Sequence, residues 1–130
     1  MYITTKGRNA LKVMIDLARH EGEGYISLSD VAERQRESLK YLEASASQLS
    51  SAGLVVSARG KSGGYKLARS AEEYTVAEIL LTGEGTLSPV SCLDSGCENA
   101  GTCQTLPLFK ELDEVIMNFL NSKTLKDLLK

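Results

Sequence analysis

Leu54-Val55-Val56-Ser57-Ala58-Arg59-Gly60-Lys61-Ser62-Gly63-Gly64-Tyr65-Lys66-Leu67-Ala68-Arg69 is the stretch that decides the fold. Alternating valine and serine lead in, and Tyr65, Leu67 and Arg69 alternate with Lys66 and Ala68 on the way out. This period of two, broken by glycines, is a β-hairpin pattern. Its tip carries Arg59 and Lys61, with Lys66 just after it. Glycines allow close backbone approach and the cations suit an anion, so the tip is expected to meet an anionic surface.

Two helices are expected directly upstream. One starts at Ser27, with Asp30 in the position of a capping-box partner; Leu28, Val31 and Ala32 point inward and Glu33 to Arg36 form its polar end. The next has Ser38 as its cap, Leu39, Leu42, Ala46 and Leu49 as its buried face, and Gly53 just past its end, where a left-handed residue is needed. Two helices joined by so short a turn read as a helix-turn-helix, a pattern that any helical hairpin can also produce. The basic hairpin behind it turns that reading into a winged helix. Further upstream, Lys6 to about His20 forms a helix capped by Thr4 or Thr5. Its apolar stripe is Ala10, Leu11, Met14, Ile15 and Ala18, and His20 complements the helix dipole at its end.

Downstream of the hairpin, Thr75-Val76-Ala77-Glu78 is a second capping-box pattern, opening a helix through Ile79, Leu80 and Leu81 that Gly83 and Gly85 end. Residues 83–104 read as a loop. Pro107 opens the last long helix, where Leu108, Phe109, Leu112, Val115, Ile116, Phe119 and Leu120 form a broad apolar stripe. Packing within one chain or a dimer interface would each explain it, and a two-fold DNA reader favours the dimer. Thr124 to Asp127 opens a final short helix. The fold class expected is therefore mainly α with a small β-hairpin wing, divided into a winged helix-turn-helix region over 1–70, a short helix and cysteine loop over 71–104, and a dimerisation helix with a terminal short helix over 105–130.

Composition bounds the function. The 130 residues are 42% hydrophobic and 25% charged, an ordinary globular balance that excludes collagen-like and disordered chains. No apolar run approaches the ~18 residues that span a bilayer, and residues 1–8 lack the apolar core of a signal peptide, so no membrane partner and a cytoplasmic location are expected. The net charge of −2 conceals an asymmetry: residues 1–70 hold 11 Lys/Arg against 7 Asp/Glu, and residues 71–130 hold 4 against 10. A basic half joined to an acidic half suggests two tasks in one chain.

The three cysteines, Cys92, Cys97 and Cys103, fall in one twelve-residue window with C-x4-C-x5-C spacing. An odd count argues against a disulfide framework, and the polar surroundings argue against buried structural cysteines. Metal ligands, cluster ligands and redox thiols remain; zinc favours C-x2-C pairs, whereas iron–sulfur clusters tolerate varied spacings. With one histidine and no nucleophile or nucleotide motif, no enzyme is expected.

Three stretches, Thr4-Thr5-Lys6-Gly7-Arg8, Tyr41-Leu42-Glu43 and Ser57-x-Arg59-Gly60-x-x-Gly63-Gly64-Tyr65-x-Leu67, together with the three cysteines and the closing Thr124-Leu125-x-Asp127-Leu128-Leu129, resemble the IscR-like family of bacterial regulators. The resemblance covers essentially the whole chain. It implies a homodimeric winged-helix transcription factor, a repressor among other possible signs, on a palindromic double-stranded site. It also implies an iron–sulfur cluster, [2Fe–2S] ahead of [4Fe–4S], with Cys92, Cys97 and Cys103 as ligands. The cluster's state, redox or nitrosative stress would set promoter choice, among cluster-assembly or related genes. The first cysteine gap is one residue shorter than is common in relatives. The family's fourth-ligand positions hold Leu106 and Arg8 here, leaving Asp94, Glu98 and Gln104 as local candidates.

On the matched positions, Ser38, Lys40, Tyr41 and Glu43 fall on the first turns of the third helix, which reach base edges. Serine and tyrosine hydroxyls can bond phosphates, Lys40 can bond guanine, and Glu43 can accept from cytosine N4 while rejecting wrong sequences. Ser57, Arg59, Gly60 and Lys61 belong to the wing, whose cations suit the minor groove or phosphates. Two other readings stay open: a cluster-free regulator of the same fold responding to thiol oxidation or to a partner enzyme of cysteine metabolism, and, more distantly, a small iron–sulfur electron carrier.

Overall fold

The computed structural model describes residues 2–96 and 98–129, so Cys97 lies outside the described residues. Thr4 opens the first helix, α1 (Thr5–Arg19): its hydroxyl accepts the Lys6 N–H at 3.2 Å, satisfying one of the unpaired donors of the first turn. Ala10, Val13, Met14, Leu17 and Ala18 form its buried stripe. His20 ends the helix as expected, and its Nδ1–H donates to the Asp16 carbonyl at 2.9 Å.

Ser27 caps α2 (Leu28–Gln35) by accepting the Asp30 N–H at 3.2 Å. Arg36 stops it in the left-handed region at φ 55°, the one non-glycine residue with positive φ among those described. That reversal lets α3 (Leu39–Ser51) start three residues later across α2. Val13, Met14, Leu17, Val31, Leu42, Ala46 and Leu49 close the core between the three helices. Full burial of such side chains stabilises by about 1.5–3 kcal/mol each. Leu39 departs from the expected inward face: as the first residue of α3 it is 39% exposed, while Leu42, about one turn further on, is fully buried.

The hairpin forms β1 (Val55–Ala58) and β2 (Gly64–Leu67), antiparallel, with Val55 opposite Leu67 and Ser57 opposite Tyr65. Tyr65 and Ile26 exchange backbone hydrogen bonds of 2.8 and 2.9 Å, fixing the wing to the segment that leads into α2. The alternation predicted through Arg69 stops at Leu67. Arg69 turns away because its N–H donates to the Tyr74 hydroxyl at 2.8 Å and its guanidinium to Glu78 at 2.7 Å.

A 3-10 turn, Ala71–Glu73, carries a reciprocal Ser70–Glu73 capping box and leads to α4 (Val76–Glu84), capped by Thr75. Gly83 lies inside α4, and Gly85 at φ 83° ends it. The stretch expected to be loop throughout contains one helical turn, α5 (Cys92–Ser95). The long helix α6 runs from Leu106 to Ser122, followed by a 3-10 turn, Lys126–Leu128. Between these two, Val76 N–H donates to Lys123 O and Leu125 N–H to Tyr74 O, at 2.8 and 3.0 Å. Leu125 is thereby buried in the same core as α1–α3, along with Ala71, Tyr74 and Ile79.

Candidate nucleic-acid interface and cysteine loop

The third helix and the wing present the sequence-predicted DNA-reading residues on the molecule's outside. Ser38 stands at the N-cap position of α3 without making a side-chain cap bond, which leaves its hydroxyl open to a partner. Lys40, Tyr41 and Glu43 are exposed on the first turns of α3, Tyr41 by 62%. Ser57 is exposed on β1, and Arg59, Gly60 and Lys61 are exposed at the wing tip. Lys40, Glu43, Arg59 and Lys61 form no hydrogen bond or ion pair with any described residue, so their charges are free to act on a partner. Lys66, by contrast, is already engaged, its ammonium 4.7 Å from the centre of the Tyr25 ring.

The wing glycines do not all serve the expected purpose. A Cβ on Gly64 would lie 2.1 Å from the Ile26 carbonyl oxygen, and one on Gly63 would lie 2.3 Å from that of Ala58. These two glycines permit close approach to the protein's own backbone. Gly60, at φ 101° with open space around it, is the tip glycine that faces outward.

The reading head is braced by a polar node that pattern reasoning missed. Asp16, 2% exposed on α1, accepts from Arg34 Nε at 3.0 Å and Nη2 at 2.7 Å, and from Gln35 Nε2 at 3.3 Å. This bidentate pair ties α1 to the end of α2, beside the Arg36 reversal. A charged residue on an otherwise apolar helix face, Asp16 between Ile15 and Leu17, was the signal that could have found it. Lys12 and Glu37 form a second bridge across the same junction.

Cys92 begins α5 and Cys103 lies just ahead of α6; both are half-buried free thiols. The Thr105 hydroxyl lies 3.2 Å from Cys103 Sγ. That contact first, then the Thr105 and Leu106 backbone N–H groups, hold the Cys103 thiol below the usual thiol range. A thiol predisposed to ionise in a polar loop suits thiolate chemistry; among the described residues no three His, Cys, Asp or Glu side chains are grouped so as to hold a metal ion. Leu106 is buried, and Arg8 is exposed. Asp94 is held through Oδ1 by the Thr86 and Ser88 hydroxyls at 2.6 and 2.7 Å, which lowers its pKa. Glu98 and Gln104 are exposed and bond to no described residue.

Along α6 the apolar stripe only partly finds cover. Met117 and Leu120 pack on the small core of Val76, Leu80 and Leu87, while Leu108, Leu112, Val115 and Phe119 are 41–64% exposed. Ile3, Leu80, Val115, Ile116, Phe119 and Leu120 line a cavity of about 290 Å³ beside the stripe. No helix among the described residues is long and apolar enough to cross a membrane.

Known proteins share this arrangement. The profile of the Rrf2 family, described as an iron-dependent transcriptional regulator, matches residues 3–130. An HTH-type transcriptional regulator IscR from Photorhabdus laumondii is 40% identical over 130 residues, covering 99% of this chain and 79% of the relative. Among solved structures, CymR, the global cysteine regulator of B. subtilis, superposes with a TM-score of 0.81 at 39% identity, covering 98% of this chain and 95% of that one. IscR from T. potens superposes with a TM-score of 0.79 at 37% identity, covering 98% and 85%. A winged helix matched over nearly its whole length by transcriptional regulators is a DNA-binding regulator and not an enzyme: this chain belongs to the Rrf2 family of transcriptional regulators.

Proposed function

We propose that the chain is a homodimeric, cytoplasmic transcription regulator whose winged helix reads a palindromic promoter site and whose residues 92–103 sense iron–sulfur status, controlling cluster-assembly or related genes. The single observation that supports this most is the set of unpaired polar and charged side chains on α3 and the wing. Ser38 and Tyr41 would bond phosphates, Lys40 a guanine edge, and Glu43 cytosine N4. Glu43 also places a carboxylate near phosphates, which weakens binding to any sequence that gives it no donor. Ser57 and the Gly60 backbone would approach the duplex backbone, and Arg59 and Lys61 would enter the minor groove or neutralise phosphates.

Cys92, Cys97 and Cys103 would hold the cluster, with [2Fe–2S] the preferred form. When bound, the cluster supplies a redox- and nitric-oxide-sensitive centre. Residues 1–70 do the reading, 71–104 the sensing and 105–130 the pairing. The apolar face of α6 would pair two copies and so set the distance between half-sites.

A second reading has its own support. The ionisable Cys103 thiol and the likeness to a cysteine regulator suit a cluster-free sensor acting through thiol oxidation.

Arg59→Ala tests the interface. On a duplex selected by the wild-type protein from a random pool, the slope of log K against log salt should become shallower by about 0.9 for each phosphate that the variant leaves unneutralised. An unchanged slope places Arg59 off the DNA. Visible absorbance between about 300 and 600 nm after anaerobic purification, abolished when the three cysteines become alanine, would assign the cofactor.

A further inference from the structure

Glu84, the last residue of α4, caps the first turn of α1 from across the chain. One oxygen, Oε2, accepts the Thr4 N–H at 3.0 Å, the Thr4 hydroxyl at 2.7 Å and the Gly7 N–H at 2.7 Å. A carboxylate here neutralises the positive end of α1 and satisfies donors that the helix itself cannot. Two glycines make the approach possible. A Cβ on Gly7 would lie 2.5 Å from Glu84 Oε2, and one on Gly83 would lie 2.9 Å from both the Gly7 Cα and the Lys6 carbonyl oxygen. The C-terminal end of α4 is therefore locked directly onto the first turn of α1.

The other side of Glu84 leads to the cysteines. Gly85 turns the chain out of α4, and Thr86 and Ser88 then fasten Asp94 on α5, two residues beyond Cys92. Glu84, Gly85, Thr86, Ser88 and Asp94 line one open cavity of about 460 Å³. On the α1 side, Thr5, Lys6 and Asn9 share a groove with Tyr41 and Ala44 of the reading helix. Asn9 is 3% exposed, and its Oδ1 has no partner among the described residues. Glu84 thus stands between the segment that fastens α5, which begins at Cys92, and the first turn of α1, which shares a groove with the reading helix.

We infer that Glu84 is a positioning residue that transmits the state of the cysteine loop to the first turn of α1 and so to the reading helix. This rests on the sensing role proposed for residues 92–103. A displaced α5 would pull on Thr86 and Ser88, move the end of α4, and release or tighten three hydrogen bonds at the start of α1. Coupling of this kind requires an element whose equilibrium both sites bias, and the α1 first turn is that element.

The test compares wild type with Glu84→Ala and the isosteric Glu84→Gln, each first checked for native far-UV circular dichroism. Loop state is changed in two ways: reconstitution with iron and sulfide, and alkylation of the cysteines with iodoacetamide. Amide hydrogen exchange is followed at residues 4–8, and affinity for the selected duplex by fluorescence anisotropy. In wild type, exchange at 4–8 should change on the order of tenfold between loop states. Glu84→Ala should exchange fast and alike in both states, and Glu84→Gln should fall between. DNA affinity should differ between loop states by about 5-fold or more in wild type and by about 1-fold in Glu84→Ala. A loop-dependent change at residues 4–8 that survives in Glu84→Ala, or is missing from wild type, overturns the inference. A wild-type exchange change without any change in DNA affinity keeps Glu84 as the link and removes the sensing role instead.

Discussion

Tyr74 has no solvent exposure, and its hydroxyl is used twice: it donates to the Leu54 carbonyl at 2.7 Å and accepts the Arg69 N–H at 2.8 Å. The Arg69 guanidinium lies 4.4 Å from the centre of its ring. One side chain therefore ties both ends of the wing, just before β1 and just after β2, to the head. Removing only the oxygen leaves the Arg69 N–H without a partner and the Leu54 carbonyl with only its 3.3 Å bond from the Ala68 N–H. Tyr74→Phe should destabilise the protein by about 1–3 kcal/mol, read from the urea midpoint at unchanged m. A shift below about 0.5 kcal/mol, within the ordinary scatter of surface substitutions, would show that the bonds are dispensable. Nothing in the local sequence marked Tyr74, because its partners lie 20 and 5 residues away. Side-chain partners across the chain were equally hidden for Asp16 and Glu84. The local capping signals at Thr4, Ser27 and Thr75, whose partners lie within three residues, were legible.

Elements were legible where a period or a glycine dictated them. The hairpin, the three helices of the head and α6 all lie where alternation, helical spacing and caps put them. The misses have local causes. Leu39 fits the helical period but stands at the very start of α3, where it is 39% exposed. The turn of α5 carries only Leu93 as a large apolar residue, too little for a periodic signal. Glycines at the wing suggest clearance for a partner, whereas at Gly63 and Gly64 the space is taken by Ala58 and Ile26. For α6, apolar periodicity alone could not distinguish cover by the same chain from cover by another copy. The structure leaves Leu108, Leu112, Val115 and Phe119 exposed in one chain, which supports pairing. The double substitution Leu112→Glu with Phe119→Glu should turn a dimer into a monomer by light scattering and weaken binding to a palindromic duplex on the order of 10²-fold. A dimer of undiminished stability would move the interface elsewhere.

Across the whole molecule, charge and connectivity point to one arrangement. The basic 1–70 segment presents its free cations on α3 and the wing, while the acidic 71–130 segment carries the cysteines and α6. These halves share one core through Ala71, Tyr74, Ile79 and Leu125, and the backbone bonds of Val76 and Leu125 anchor the end of α6 to it. A change in the cysteine loop would reach the head through Glu84 and the first turn of α1, without the head having to unfold. The expected response is a shift between geometries, in which promoter choice or affinity follows the loop. The most direct measurement is the affinity of one wild-type-selected duplex for three forms: anaerobically reconstituted protein, apo protein, and the Cys92→Ala, Cys97→Ala, Cys103→Ala variant. The reconstituted form should differ from the other two by about 5-fold or more, and the variant should match the apo protein whether or not iron and sulfide are supplied. Equal affinity for all three forms, with visible absorbance confirming the reconstitution, would contradict a sensing role for the loop.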